Sequence, residues 1–105
     1  MSHFPVPSKN NLALFEHTVS VFGQGSQVVK ASEEYAEVAA AIARSFNNDT
    51  DADLKDMAAD MADAEIMRQQ LCLIFPDLPG YLEVAYRMKM EAIAKRTEFQ
   101  GQLDL

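Results

Sequence analysis

The placement of glycine and proline constrains this chain more than any other feature. Its four glycines and four prolines fall almost entirely between segments of helical periodicity, and the stretches they leave uninterrupted are long. Pro5 and Pro7 lie in a loose, flexible arm over residues 1–9. A first helix is expected from about Asn10 to Phe22, with Leu12, Phe15, Val19 and Phe22 on one face, ended by Gly23-Gln24-Gly25. Ser26 is a good N-cap for a second helix from Gln27 to Phe46, and Asn47-Asn48-Asp49 reads as a turn. Thr50 followed by Asp53 resembles a capping box that opens a third helix reaching Phe75, where Pro76 stops it. Pro79 sits at a start position of a fourth helix ending near Arg96 or Thr97. Residues 98–105 form a tail. No segment alternates apolar and polar residues, so the expected class is all-α with four helices and no strands.

Length and composition narrow the class of molecule. At 105 residues, 49% hydrophobic, the chain supports one domain and is too apolar for a disordered polymer. No apolar run is long enough for a membrane span, and no basic-then-apolar leader opens the chain. Cys72 is the single cysteine, which excludes an internal disulfide or a cysteine-rich zinc site and makes a reducing cytoplasm the expected home. A net charge of −7 argues against general nucleic-acid binding, which needs basic surface. Cys72 between Leu71 and Leu73 reads as a core thiol, and His17 as a helix-surface residue.

A third helix of about 25 residues spans about 38 Å, against a radius of gyration of about 13 Å for a compact chain of this size. Its distal half carries Ile66, Met67, Leu71, Leu73, Ile74 and Phe75. Apolar surface of that kind calls for a partner, and a homo-oligomer, dimer or tetramer, is expected.

The acidic residues are concentrated locally. Ten lie from Glu33 to Glu65, opposed only by Arg44 and Lys55. Glu34 and Glu37 share a helix face, with Glu33 on its flank. Asp53, Asp56, Asp60 and Asp63 recur at spacings of three and four, and the same stripe continues into Met67, Leu71 and Ile74. A face apolar in one half and carboxylate in the other points some carboxylates toward a neighbouring helix. Inward carboxylates lose hydration and raise one another's pKa unless a counter-charge is present. A hard divalent cation, Mg²⁺ or Mn²⁺, supplies that charge and prefers oxygen ligands. Small neighbours (Ala36, Ala41, Ala59, Ala62, Ala64) allow two antiparallel helices to approach closely enough to share one. The alternative is that the acids form an ordinary solvated face.

These residues resemble a known family. Glu33-Glu34-Tyr35-Ala36-Glu37 matches E-E-x-x-E, and Asp60-Met61-Ala62-Asp63 resembles the E-x-x-D half of the signature of the all-α NTP pyrophosphohydrolases, the MazG-like superfamily. The flanks Phe22-Gly23 and Gln27-Val28-Val29-Lys30 agree, and Lys89 to Arg96 resembles the closing K-x-x-x-N-x-x-R pattern. The resemblance covers residues 10–97. Two positions depart from it: Asp60 stands where Glu is usual, and Ile93 where many members carry Asn. The resemblance implies a four-helix MazG-like bundle completed by homo-oligomerisation. It implies Mg²⁺-dependent hydrolysis of a nucleoside triphosphate to monophosphate and pyrophosphate. It also implies Glu34, Glu37, Asp60 and Asp63 as metal ligands, with Glu33 as an outer carboxylate or proton acceptor beside Glu34 and Glu37. Lys30, Lys89, Arg96 and Tyr86 are the implied substrate contacts. The competing expectation, motivated by the two departures, is a non-catalytic helical interaction module that retains an acidic metal-binding cluster.

Overall fold

The computed structural model describes residues 2–48 and 50–105, the side chains of Asn47 and Asn48 excepted. The chain forms four helices, α1 (Lys9–Phe22), α2 (Gln24–Asn48), α3 (Asp51–Ile74) and α4 (Leu78–Arg96), and no strand occurs among the described residues. None of these helices is long and apolar enough to cross a membrane.

The helix starts follow local chemistry. Ser8 caps α1, its hydroxyl accepting from the Asn11 amide at 3.3 Å, so the helix begins one residue ahead of the expected Asn10. The break between α1 and α2 is narrower than the three-residue break expected. Gly23 alone turns the chain, at φ 86, a conformation that side-chain-bearing residues rarely adopt. Its amide still bonds Val19 O at 2.7 Å, and its carbonyl already accepts from Gln27 N at 3.1 Å. Gly25 and Ser26 therefore lie inside the first turn of α2, and Ser26 is not its cap. The far end of α2 also runs on, through Asn48, so of the expected turn at 47–49 two positions are helical and Asp49 lies outside the described residues.

The capping box at the head of α3 is complete. Thr50 Oγ1 accepts from Asp53 N at 3.2 Å and Asp53 Oδ2 accepts from Thr50 N at 3.4 Å. At the other end the Phe75 amide bonds Leu71 O, Pro76 follows, and Pro79 occupies the first turn of α4.

The chain divides into two compact units. The larger, Pro7–Phe75, holds α1, α2 and α3. Here α2 and α3 form an antiparallel hairpin: Tyr35 lies beside Glu65, Val38 beside Met61 and Ala64, and Ser45 beside Met57. On α2, Gln27, Ala31, Glu34, Val38, Ala41 and Ser45 are buried or half-buried, with Val28 half-buried beside them; on α3, Asp53, Met57, Asp60, Ala64, Met67, Leu71 and Ile74 are, with Arg68, Gln69, Gln70, Cys72 and Leu73 joining them toward its C-terminal end. The first-named series on each helix steps by four and three, the 3.5-residue repeat of a coiled-coil seam. α1 packs on this hairpin and buries Phe15. The core is small: Phe15, Ala31, Ala41, Ala64 and Met67 are its buried apolar residues, and Gln27, Glu34, Ser45 and Gln70 are buried with them.

The smaller unit comprises residues 2–6 and Pro76–Leu105. The N-terminal segment, expected to be loose, is held against α4. Glu83 accepts hydrogen bonds from the Ser2 hydroxyl and, at 2.9 Å, from the Phe4 amide; His3 Nδ1 lies 3.1 Å from its other oxygen. The His3 ring stacks on Tyr86 at 4.3 Å, and Phe4 meets Tyr86 edge-on.

Candidate functional site

The hairpin seam carries carboxylates where a coiled coil ordinarily carries leucine. Glu34 is the deepest. It occupies a seam position of α2 and is 5% exposed. Lys30, one turn earlier, brings its Nζ to 2.8 Å from Glu34 Oε1, while more than half of the lysine side chain stays in solvent. Glu34 Oε2 is buried without a hydrogen-bond partner. Leaving a buried acceptor unmatched costs about 1–3 kcal/mol, and more when the group is charged. A sequence optimised for packing alone would not place it there.

Glu37, one turn further on, lies at the exposed edge of the seam. Its pKa is raised, first by the charge of Glu34, then by partial desolvation and the approach of the two carboxyls, with Asp60 on α3 adding to it and Lys30 partly offsetting it. The two helices therefore bring Glu34, Glu37 and Asp60 into one field of like charge. Asp60 is half-buried in the α3 seam, and Arg44 Nη2 lies 3.9 Å from its Oδ2. Asp63, one turn along α3, is exposed. Glu33 is exposed on the flank of α2. Lys30 has a raised pKa, from its hydrogen bond to Glu34 first, then the Glu34 charge, with Glu33 and Glu37 contributing.

The structure thus gathers Lys30, Glu33, Glu34, Glu37 and Asp60, with Asp63 on the neighbouring turn of α3. The remaining expected residues, Tyr86, Lys89 and Arg96, lie on α4 in the other compact unit. Lys89 and Arg96 are exposed, and Tyr86 is engaged by His3 and Phe4. The α3 aspartates, only some of which were expected to face inward, divide: Asp53 and Asp60 lean into the seam, Asp53 as part of the cap, whereas Asp56 and Asp63 face solvent.

Arg44 was not singled out from the sequence as a member of this cluster. The signal was present, since Lys30, Glu34, Glu37, Ala41 and Arg44 recur at steps of four and three along one face of α2. Cys72 is half-buried and accepts a long contact from Arg68 Nη1 at 3.8 Å; Arg68 itself is paired with Glu65 at 2.6 Å.

The donor set is all oxygen and carries excess negative charge, which suits a hard divalent cation. The unmatched Glu34 oxygen is the feature such an ion would satisfy. Among the described residues, however, no three acidic, histidine or cysteine side chains converge closely enough to hold one. An ion bound here would need these carboxylates closer together than the structure places them. No family model matches the chain, and no curated protein or solved structure does either.

Proposed function

We propose that this chain is a Mg²⁺-dependent nucleoside triphosphate pyrophosphohydrolase of the MazG-like kind. It would cleave a (d)NTP between the α and β phosphates, giving the monophosphate and pyrophosphate, in the service of removing unwanted nucleotides. One observation carries the reading. Glu34 is buried in a helix seam with one oxygen unmatched, beside Glu37 and within the charge field of Asp60 from the facing helix. A buried carboxylate facing like charge from its own helix and from the facing one costs stability, and a cation-dependent activity would account for its presence.

In this reading Glu34, Glu37, Asp60 and Asp63 hold the metal. When bound, Mg²⁺ (Mn²⁺ can substitute) neutralises phosphate charge and lowers the pKa of an attacking water. Glu33, exposed beside the cluster, is the proposed proton acceptor. Lys30 binds the phosphate tail; Lys89, Arg96 and Tyr86, which the family resemblance implies as substrate contacts, lie on α4 in the other compact unit. The rest of the contribution is positioning and charge, as phosphoryl transfer demands.

Self-association belongs to the same reading. Tyr35 (47% exposed), Ile42 (51%), Phe46 (89%), Leu54 (44%) and Met61 (51%) line one side of the α2–α3 hairpin, an apolar surface suited to a second copy of the chain.

Pyrophosphate release from the common NTPs and dNTPs with Mg²⁺ or Mn²⁺ tests the activity. Release should disappear in Glu37→Gln, an exposed position whose substitution spares the fold. Turnover undiminished in that variant rejects the assignment. A second reading, a helical interaction module that does not catalyse, draws support from the absence of a closed three-ligand group among the described residues. It predicts no pyrophosphate from any nucleotide by a folded, self-associating protein.

A further inference from the structure

The last helix carries a regular stripe of its own. Asp77, Tyr81, Val84, Met88, Glu91 and Lys95 recur at steps of four and three along α4, the 3.5-residue repeat of a helix seam. All six are exposed, Tyr81 at 71%, Val84 at 60% and Met88 at 62%, and no residue of α4 is buried. The opposite face is already engaged: Glu83 and Tyr86 hold residues 2–4, and Ala94 O accepts from the Phe99 amide where the chain turns back at Glu98, φ 55. Asp77 makes no side-chain bond to the helix it caps, and Asp77, Glu91 and Lys95 form no ion pair among the described residues. We propose that this stripe is an interface between two copies of the chain, in which α4 pairs antiparallel with α4 of a second copy about a two-fold axis level with residue 86.

The order of residues along the stripe sets both the partner and its direction, because the stripe is complementary to itself reversed. Antiparallel pairing places Asp77 opposite Lys95 of the second copy, Tyr81 opposite its Glu91 and Val84 opposite its Met88, and each contact occurs twice, as a two-fold axis requires. The outermost layer is an ion pair. In the next, the Tyr81 hydroxyl donates to the Glu91 carboxylate. The two central layers are apolar, and a hollow lined by Glu83, Val84, Arg87 and Met88 lies beside them to receive the partner's side chains. Parallel pairing instead sets Asp77 on Asp77, Glu91 on Glu91 and Lys95 on Lys95, three layers of like charge that repel. All six residues belong to the smaller compact unit, so the inference stands apart from the carboxylate cluster and from the hairpin flank. Three apolar side chains per helix make a small contact, and contacts of that size are weak; a Kd on the order of hundreds of micromolar is expected. Association through the hairpin is read at tens of micromolar, so the two are separable.

The test uses the full chain. Carbon-13-labelled and unlabelled wild-type proteins are mixed in equal parts at about 1 mM, above the expected Kd, and isotope-filtered NOE spectra are recorded. Within one helix Tyr81 and Glu91 stand about 15 Å apart, so a filtered NOE from the Tyr81 ring to the Glu91 side chain arises only between copies. That NOE is expected. Its absence overturns the proposal, whether the chain then stays unpaired or pairs through other residues, and leaves the hairpin flank and the proposed activity standing. Charge reversal supplies a second readout, by sedimentation equilibrium of chains carrying Ile42→Glu with Met61→Glu to close the hairpin flank. Asp77→Lys or Lys95→Asp, added singly, sets like charges opposite one another and is expected to weaken pairing by about tenfold or more. Mixed in equal amounts, the two variants regain both ion pairs and are expected to pair as their parent does. A single reversal that pairs as well as its parent overturns the proposal, and so does a mixture that fails to pair while both components keep their helicity by circular dichroism. The NOE measurement needs no substitution and decides the question on its own.

Discussion

Replacing Glu34 with leucine should make the protein more stable and remove its response to metal. Glu34 occupies a seam position between Ala31 and Val38 on α2, a place leucine fills in ordinary helix pairs. Burying a leucine side chain contributes about 1.5–3 kcal/mol. Removing the unmatched, buried Oε2 recovers a further 1–3 kcal/mol or about that. Against these stands the ion pair with Lys30, whose ammonium is largely in solvent, so its loss costs about 1 kcal/mol at most. Together these terms give a net stabilisation of about 1.5–5 kcal/mol. At about 4 °C per kcal/mol for a chain near this size, the melting temperature rises by about 6–20 °C.

Thermal unfolding followed by circular dichroism in EDTA reads this directly, and repeating it at millimolar Mg²⁺ reads the second half. Wild type should gain stability from Mg²⁺ through linkage, whereas Glu34→Leu should gain none. A leucine variant that melts below wild type in EDTA refutes the reasoning, because it would mean that the carboxylate is structurally satisfied and needs no ligand to explain it. A variant that is more stable yet still responds to Mg²⁺ places the metal elsewhere.

The N-terminal segment gives a pH-dependent outcome. Glu83 is pulled down to about 2, first by the Ser2 hydroxyl, then by His3 and the Phe4 amide acting against desolvation. Its contribution to holding residues 2–4 on α4 is therefore complete above the ordinary carboxylate range and is lost as pH falls toward about 2. NMR of the His3 and Tyr86 rings should show their contact loosen across that window, and Glu83→Gln should loosen it already at pH 7; an unchanged ring contact in the variant removes Glu83 as the anchor. On the hairpin, Ile42→Glu with Met61→Glu should convert the oligomer to monomer in light scattering at tens of micromolar, with helicity retained. A wild type that is monomeric at that concentration, or an oligomer that survives the double substitution, takes the apolar side of the hairpin out of the interface.

The helix boundaries set by side-chain chemistry were legible in the sequence, and those set by backbone conformation were not. Thr50 with Asp53, Pro76 and Pro79 each act through a local bond or a missing donor, and each marks an observed boundary. Gly23-Gln24-Gly25 gave no sign that one residue at positive φ suffices and that α2 resumes at once. The placement of Glu34 could be approached because Ala31, Ala41 and Val38 share its stripe. The aspartates of α3 could not be resolved in the same way. Spacings of 53, 56, 60 and 63 fit two registers of the 3.5 repeat, and only the packing of Met57, Ala64 and Met67 into the seam decides that Asp56 and Asp63 turn outward. The contacts of Ser2, His3 and Phe4 with Glu83 have no periodic signature at all, since they join residues about eighty positions apart.

The hairpin's two flanks explain how a seam so poor in apolar residues can be kept. In an antiparallel pair, the residues beside the seam on one helix face their counterparts on the other. One flank carries Tyr35, Ile42, Leu54 and Met61; the other carries Lys30, Glu37, Arg44, Asp56 and Asp63. Gln27, Glu34, Ser45, Asp60 and Gln70 take seam positions or lie beside them, where buried apolar side chains would each have contributed about 1.5–3 kcal/mol. On the proposed reading, the stability forgone at the carboxylates would not be recovered on their own side without covering the site. It can be recovered on the apolar flank, where a second copy of the chain would bury Tyr35, Ile42 and Met61 and leave the charged flank open to solvent and substrate. On the proposed reading, self-association and the acidic site would be two consequences of one pattern, and the substitutions that separate them, Glu34→Leu on the seam and Ile42→Glu with Met61→Glu on the apolar flank, should move stability in opposite directions.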